Sequence, residues 1–299
     1  MPPLAIAPQH VVMAIFALVL GLTVGSFLNV CIWRLPRGQS ISRPVGSHCP
    51  QCGTALKGRD NIPLLSYLLL GGKCRYCGEP ISWRYPAVEA LTGVLFLALY
   101  LFQRVGAGVN PGHVIVMGLV IALLMAASGV DLEYLIIPDE ISIFGVLGGL
   151  LAGALLPGLH VGEAPYHTLE GLTGLAAVDG LIGSIIGTLG GGGLVLFFAV
   201  VGALIFRKEA MGFGDVKLMA MVGAFLGWKV AVLAFFLAPF FGLLYGIPVL
   251  LFKEDHTMPF GPFLSCGTVV TILLRTVLCA RLESSLEVFR KLFVLLLSS

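Results

Sequence analysis

Charge is what this chain has least of. Only 11% of its 299 residues are Asp, Glu, Lys or Arg, where a soluble domain carries about a quarter, so an ordinary water-soluble fold is excluded. The 18 basic and 16 acidic residues leave a formal net charge of +2. That balance argues neither for nor against a nucleic-acid partner, and none is expected. A phosphate-cradling loop is missing too, because Gly190-Gly191-Gly192-Gly193 is not followed by the Gly-Lys-Ser/Thr that such a loop needs. Met1 to His10 lacks the basic stretch of a secretory signal, so the first apolar run reads as a permanent helix.

What the chain has instead is apolar length. Runs near 11–33, 87–102, 112–130, 135–157, 175–206, 230–252 and 260–280, with a shorter one at 216–229, stand against the roughly 20 residues a membrane-spanning helix needs. The expected fold class is all-α, a polytopic membrane helical bundle of about eight spans with a small cytoplasmic insert. That insert is 34–86, where Arg34, Arg37, Arg43, Lys57, Arg59, Lys73, Arg75 and Arg84 face only Asp60 and Glu79. Loops rich in Lys and Arg stay in the cytoplasm. Alternation from there puts Arg104, Glu163 and Glu170 outside, and Arg207, Lys208 and Lys253 inside. The chain thus divides into a first membrane helix (1–33), the insert (34–86), a membrane core (87–280) and a tail (281–299), which lies on the membrane surface or packs as an extra helix.

Two acids interrupt the membrane core. Asp131 and Asp215 each sit at the edge of an apolar run, where an ionisable group costs roughly 2.5 to 3.5 kcal/mol and therefore faces a protein interior or a water-filled cavity. The same alternation brings both to the cytoplasmic face. From the residues alone the pair is either a carboxylate dyad for chemistry or an ion-pairing relay in a transporter, with Lys217 as a cationic partner; otherwise Lys217 reaches to the headgroups. Asp179 falls near the outer end of its span and reads as a helix-start carboxylate. Asp139 and Glu140, after Pro138, suit a helix start as well. Gly212 and Gly214 admit a substrate backbone beside Asp215 or simply break the helix. Gly190 to Gly193 read as a flexible or kinked point, with Gly183 and Gly187 spaced for close helix contact.

The insert carries a sharper signal. Cys49-Pro50-Gln51-Cys52-Gly53 and Cys74-Arg75-Tyr76-Cys77-Gly78 are two Cys-x-x-Cys pairs with 21 residues between them, a set that suits a tetrahedral zinc site on Cys49, Cys52, Cys74 and Cys77. Disulfides are the alternative, disfavoured in a reducing cytoplasm. The glycine after each pair permits the positive φ of a tight turn around a metal. His48 is superfluous beside four sulfurs, and Cys31, Cys266 and Cys279 read as small core residues. Asn29 is expected to hydrogen bond inside the bundle. Arg34-Leu35-Pro36 and Trp83-Arg84-Tyr85-Pro86 read as headgroup anchors.

Together these stretches resemble the type IV prepilin leader peptidases, bifunctional enzymes of pilus and type II secretion systems. The likeness runs through most of the chain. It is carried by Gly25-Ser26-Phe27-Leu28-Asn29-Val30, the paired cysteines with Asp60-Asn61-Ile62-Pro63-Leu64-Leu65-Ser66-Tyr67 between them, and Ile81-Ser82-Trp83-Arg84-Tyr85-Pro86. Asp131 ahead of Ile137-Pro138-Asp139, Gly212-Phe213-Gly214-Asp215-Val216-Lys217-Leu218 and Pro259-Phe260-Gly261-Pro262 complete it.

The resemblance implies a bacterial inner-membrane aspartic peptidase whose catalytic dyad is Asp131 and Asp215. Its implied substrates are prepilins and pseudopilins, cut after a glycine at the cytoplasmic face. It also implies N-methylation of the new amino terminus with S-adenosylmethionine, seated in the zinc-stabilised insert; no methyl-donor contact is assigned. A proton-coupled transporter would instead spread its acids across the bilayer, and a pilin-binding scaffold would bind leaders without turnover.

Overall fold

The computed structural model describes residues 8–43, 46–160, 175–207, 211–252 and 258–297. Glu163, Glu170, Lys208 and Lys253, used above to orient the chain, lie outside the described residues. The chain resolves into two compact units, Met1–Gly145 with Thr257–Pro262, and Val146–His256 with Phe263–Ser299.

In the first unit α1 (Pro8–Arg34) packs along α3 (Arg84–Leu99), and α4 (Pro111–Tyr134) lies against both. The seam between α1 and α3 is closed by small residues. A side chain at Gly21 would come within 2.7 Å of the Thr92 carbonyl oxygen, and one at Gly25 within 2.8 Å of Glu89 Cα. Such backbone approach is how membrane helices gain packing where lipid offers no hydrophobic contrast. α3 continues as a π-helix, Tyr100–Gly106. α4 starts at an Asn110 cap that accepts the Gly112 N–H, with Pro111 at its first position. Between α1 and α3 lies the insert, whose one α-helix among the described residues is α2 (Leu65–Leu69).

α5 (Asp139–Leu155) crosses from the first unit into the second. There α6 (Ala176–Phe206) packs on α7 (Phe213–Leu226) and α8 (Trp228–Phe252), followed by α9 (Gly261–Leu273) and α10 (Arg275–Leu297). Gly187 and Gly223 bring the backbones of α6 and α7 so close that a side chain on either would strike the other's carbonyl. The glycine run does not behave as expected: α6 is continuous across Gly190–Gly193. Side chains at Gly191 and Gly192 would meet Met219, Ala231 and Ala220, so these glycines admit neighbouring helices rather than loosen their own.

The eight expected spans reduce, among the described residues, to five helices long and apolar enough to cross a membrane, or six if the bent pair α9 and α10 counts as one. Run 216–229 becomes the 14-residue α7, whose residues from Leu218 to Leu226 are almost all buried. An apolar segment of that length suits a core helix better than a span. Run 135–157 loses its start to the turn before Pro138, leaving 17 residues in α5. The run 260–280 is broken at Leu274.

Candidate functional site

Asp131 sits in the last turn of α4, buried at 5% exposure. Its Oδ2 accepts the Gly261 N–H at 2.9 Å. Gly261 opens α9, so the carboxylate meets the positive end of a helix. A Cβ there would lie 2.7 Å from Asp131 Oδ2, so a side chain at this position would push the carboxylate aside. The only trace of this partner in the sequence is the Pro259-Phe260-Gly261-Pro262 stretch, 128 or more residues from Asp131.

Asp215 lies in the first turn of α7, buried at 7% exposure, and belongs to the second unit, whereas Asp131 belongs to the first. Gly212 caps α7 with φ −73° and ψ 148°, a conformation open to any residue, so its glycine is not there for backbone freedom. A Cβ at Gly212 would stand 3.7 Å from Asp215 Oδ2, an ordinary contact, so space does not require the glycine either. The Lys217 ammonium lies over the Phe213 ring, 5.5 Å from its centre. Asp179 falls in the first turn of α6, and Asp139 and Glu140 in that of α5, as helix-start acids should.

The four cysteines of the insert converge, with all four sulfurs within 4.8 Å of one another. Two matching knuckles hold them. Cys49 N–H donates to Thr54 and Gly53 N–H to Cys49; Cys74 N–H donates to Glu79 and Gly78 N–H to Cys74. Gly53 and Gly78 have φ of 69° and 74°, the left-handed turn that glycine adopts freely. The hydrogen bond between Cys52 and the Thr54 hydroxyl, with backbone help, brings the Cys52 thiol down to about 6. At Cys77 the backbone near Glu79 works downward, but lost hydration and the neighbouring thiols outweigh it and push the thiol up to about 12. Four sulfurs this close cannot all ionise unaided, and a dication removes that conflict. Donor type, number and clustering fit structural zinc.

Behind the knuckles, buried Asp60 binds Arg75 Nε at 2.6 Å and the Tyr76 hydroxyl at 2.9 Å, fastening the two residues between Cys74 and Cys77. Burial opposes ionisation of Asp60, but these two partners prevail and hold its carboxyl below the usual 3.8.

Both proposed anchors turn inward in part. Arg34 is buried and donates to the carbonyls of Ser40, Ile41 and Gly46, so it staples the insert to the end of α1 instead of reaching for headgroups. Arg84 pairs with Glu133 of α4, while Trp83 stays exposed as an anchor would. Asn29 bonds within the bundle as expected, donating to the carbonyls of Gly25 and Tyr85. Cys31 is a core residue; Cys266 is exposed and is not. Between the insert and the ends of α1, α3 and α4 lies a cavity of about 740 Å³, lined by Asn29, Trp33, Tyr85, Glu89 and Glu133 among others. That volume is in the range of small-molecule sites.

A family model for the bacterial peptidase A24 N-terminal domain matches residues 19–103, and one for the type IV leader peptidase family matches residues 118–247. The prepilin leader peptidase/N-methyltransferase of Myxococcus xanthus (strain DK1622) is 39% identical over 238 residues, 80% of this chain and 63% of that protein, so the match spans less than two thirds of that relative. The type 4 prepilin-like proteins leader peptide-processing enzyme of Escherichia coli O78:H11 (strain H10407 / ETEC) is 33% identical, covering 88% of this chain and 94% of that protein. The prepilin leader peptidase/N-methyltransferase of Pseudomonas putida is 33% identical, covering 90% and 93%. No solved structure matches the chain. With two adjoining family models and near full-length relatives on a frame of five or more apolar helices, the chain is a multi-pass membrane enzyme that belongs to the type IV leader peptidase family.

Proposed function

We propose that this enzyme removes the leader of prepilins and pseudopilins after a glycine, at the cytoplasmic face of the bacterial inner membrane, and then N-methylates the new amino terminus. Asp131 and Asp215 are the catalytic pair within a peptidase core of residues 87–280; residues 34–86 are the methyltransferase-associated insert, with 1–33 a first membrane helix and 281–299 a tail. The observation that carries the peptidase reading is Asp131, an acid buried at the end of a 24-residue apolar helix with a backbone N–H aimed at its carboxylate. Lipid-embedded acids without a task are eliminated by their cost.

Two carboxylates that share one proton supply both a base and an acid. The ionised member takes a proton from water, whose oxygen attacks the scissile carbonyl. The protonated member donates to the carbonyl oxygen, and the C–N bond then breaks as the leaving amine gains a proton. Gly261 fixes where the Asp131 carboxylate points. Cys49, Cys52, Cys74 and Cys77 would hold zinc, which supplies shape and no chemistry. S-adenosylmethionine supplies an electrophilic methyl group to the insert side.

The test is leader cleavage of a prepilin in proteoliposomes by Asp131→Asn and Asp215→Asn variants. Both should lose cleavage while still methylating a precleaved pilin. Full cleavage by either variant overturns the dyad.

A further inference from the structure

The cavity of about 740 Å³ in the first unit has one wall made of membrane helix and another made of the cysteine-bearing insert. Most of its charged groups are committed. Asp60 is taken by Arg75 and Tyr76, Glu133 by Arg84, and Arg34 by three backbone carbonyls. Arg37 stacks on Trp33, and Glu79 is exposed on the insert.

Two groups on the membrane side are left with open acceptors. Asn29, 3% exposed, turns its amide nitrogen to the carbonyls of Gly25 and Tyr85. Both acceptors are carbonyls, so the amide can point only one way, and its Oδ1 is buried without a hydrogen bond. Glu89 accepts the Leu64 N–H on Oε2 at 2.8 Å, and no bond engages Oε1 among the described residues. The two are neighbours across the α1–α3 seam. Gly25, one turn before Asn29, packs on the Cα of Glu89, and Tyr85, one turn before Glu89, receives the Asn29 amide. A buried acceptor without a donor costs about 1–3 kcal/mol, so Asn29 Oδ1 is a place kept for an incoming N–H.

We propose that Asn29 and Glu89 receive the free α-amino group of the cleaved substrate, and that Glu89 is the base of methyl transfer. This rests on the N-methyltransferase reading above. The donor is polar and arrives from the cytosol, whereas the acceptor amine arrives at the end of an apolar helix lying in the bilayer; Asn29 and Glu89 stand on the membrane helices, the amine's side. One N–H of the ammonium is held by Asn29 Oδ1, and another proton passes to Glu89 Oε1. The nitrogen lone pair then forms the N–CH₃ bond as the methyl–sulfur bond breaks, its electron pair returning to a sulfonium that becomes a neutral thioether.

Glu89→Gln separates chemistry from architecture, since a glutamine oxygen still accepts the Leu64 N–H but cannot take a proton. Full-length enzyme in detergent is given S-adenosylmethionine and a precleaved pilin peptide that begins with free phenylalanine. Transfer by Glu89→Gln should fall about 100-fold at pH 6.5. The deficit should shrink to under about tenfold at pH 9, where an α-amino group of pKa near 8 is already neutral. S-adenosylhomocysteine binding and leader cleavage should stay at wild-type levels. Asn29→Ala should raise the peptide KM about tenfold and change kcat less. A Glu89→Gln variant with wild-type rate and pH profile, or one that loses S-adenosylhomocysteine binding, overturns this assignment alone. A wild-type enzyme that transfers no methyl group overturns the methyltransferase reading and this assignment with it.

Discussion

Gly261 lacks a side chain in a place where Asp131 would meet one. Because the clash is with a carboxylate held by that glycine's own N–H, Gly261→Ala cannot keep both the helix start and the acid where they are. Leader cleavage by Gly261→Ala should fall at least about 100-fold, the scale on which misplacing a reacting group by an ångström acts, with methyl transfer to precleaved peptide unchanged; near-normal cleavage would show that Asp131 does not need this contact. Asp60 invites a different measurement. It braces the Cys74–Cys77 knuckle through Arg75 and Tyr76, so Asp60→Asn should weaken zinc binding by no more than about tenfold, the low end for losing a ligand's own partner, because Asp60 holds the residues between the ligands. Its folded carboxyl titrates below 3.8, so its contribution is complete above that value and is lost as pH falls through the lower folded one.

At the scale of elements, length of apolar run proved a poor guide to spans, for reasons particular residues make clear. Nothing in 216–229 says that α7 is enclosed by protein instead of lipid, since Leu218, Met219 and Val222 would suit either solvent. Pro138 and the break at Leu274 cut two other runs short. The cysteine site, by contrast, was legible because its ligands sit in two local knuckles with glycine turns, and local geometry is written in local spacing. The Asp131–Gly261 contact was not, because it joins residues 130 apart. The role of Arg34 was not legible either, because an arginine at a helix end serves headgroups or loop carbonyls equally well, and only where the carbonyls of Ser40, Ile41 and Gly46 lie decides. The α6–α7 seam has a direct test. Gly223→Leu drives a side chain into the Gly187 carbonyl, which backbone cannot yield. Thermal unfolding in detergent should show a loss of more than the 1–3 kcal/mol typical of overpacking; a Tm equal to that of the wild type would mean that the seam is not packed this tightly.

For the whole molecule the question is whether two chemistries depend on one another. The four sulfurs lie in the insert, and the aspartates lie in α4 and α7. Purified protein should carry one zinc per chain by metal analysis. A strong chelator should remove it and abolish methyl transfer, since a cluster of thiols without its ion loses the bonds that shape it. Leader cleavage should persist through the same treatment. If cleavage is lost in parallel, the insert supports the peptidase fold and the two sites are not separable.

The Asn29–Tyr85 bond and the glycine seam beneath it mean that α1 and α3 already meet where the insert leaves one and enters the other. Topologically the insert is therefore a loop at the tip of a helical hairpin, and the entropy of closing such a loop changes slowly with its length. A chain in which residues 39–82 are replaced by a short turn should close the same hairpin. It would be a minimal leader peptidase that binds no zinc, and its modularity would allow the second activity to be added or removed as a cassette.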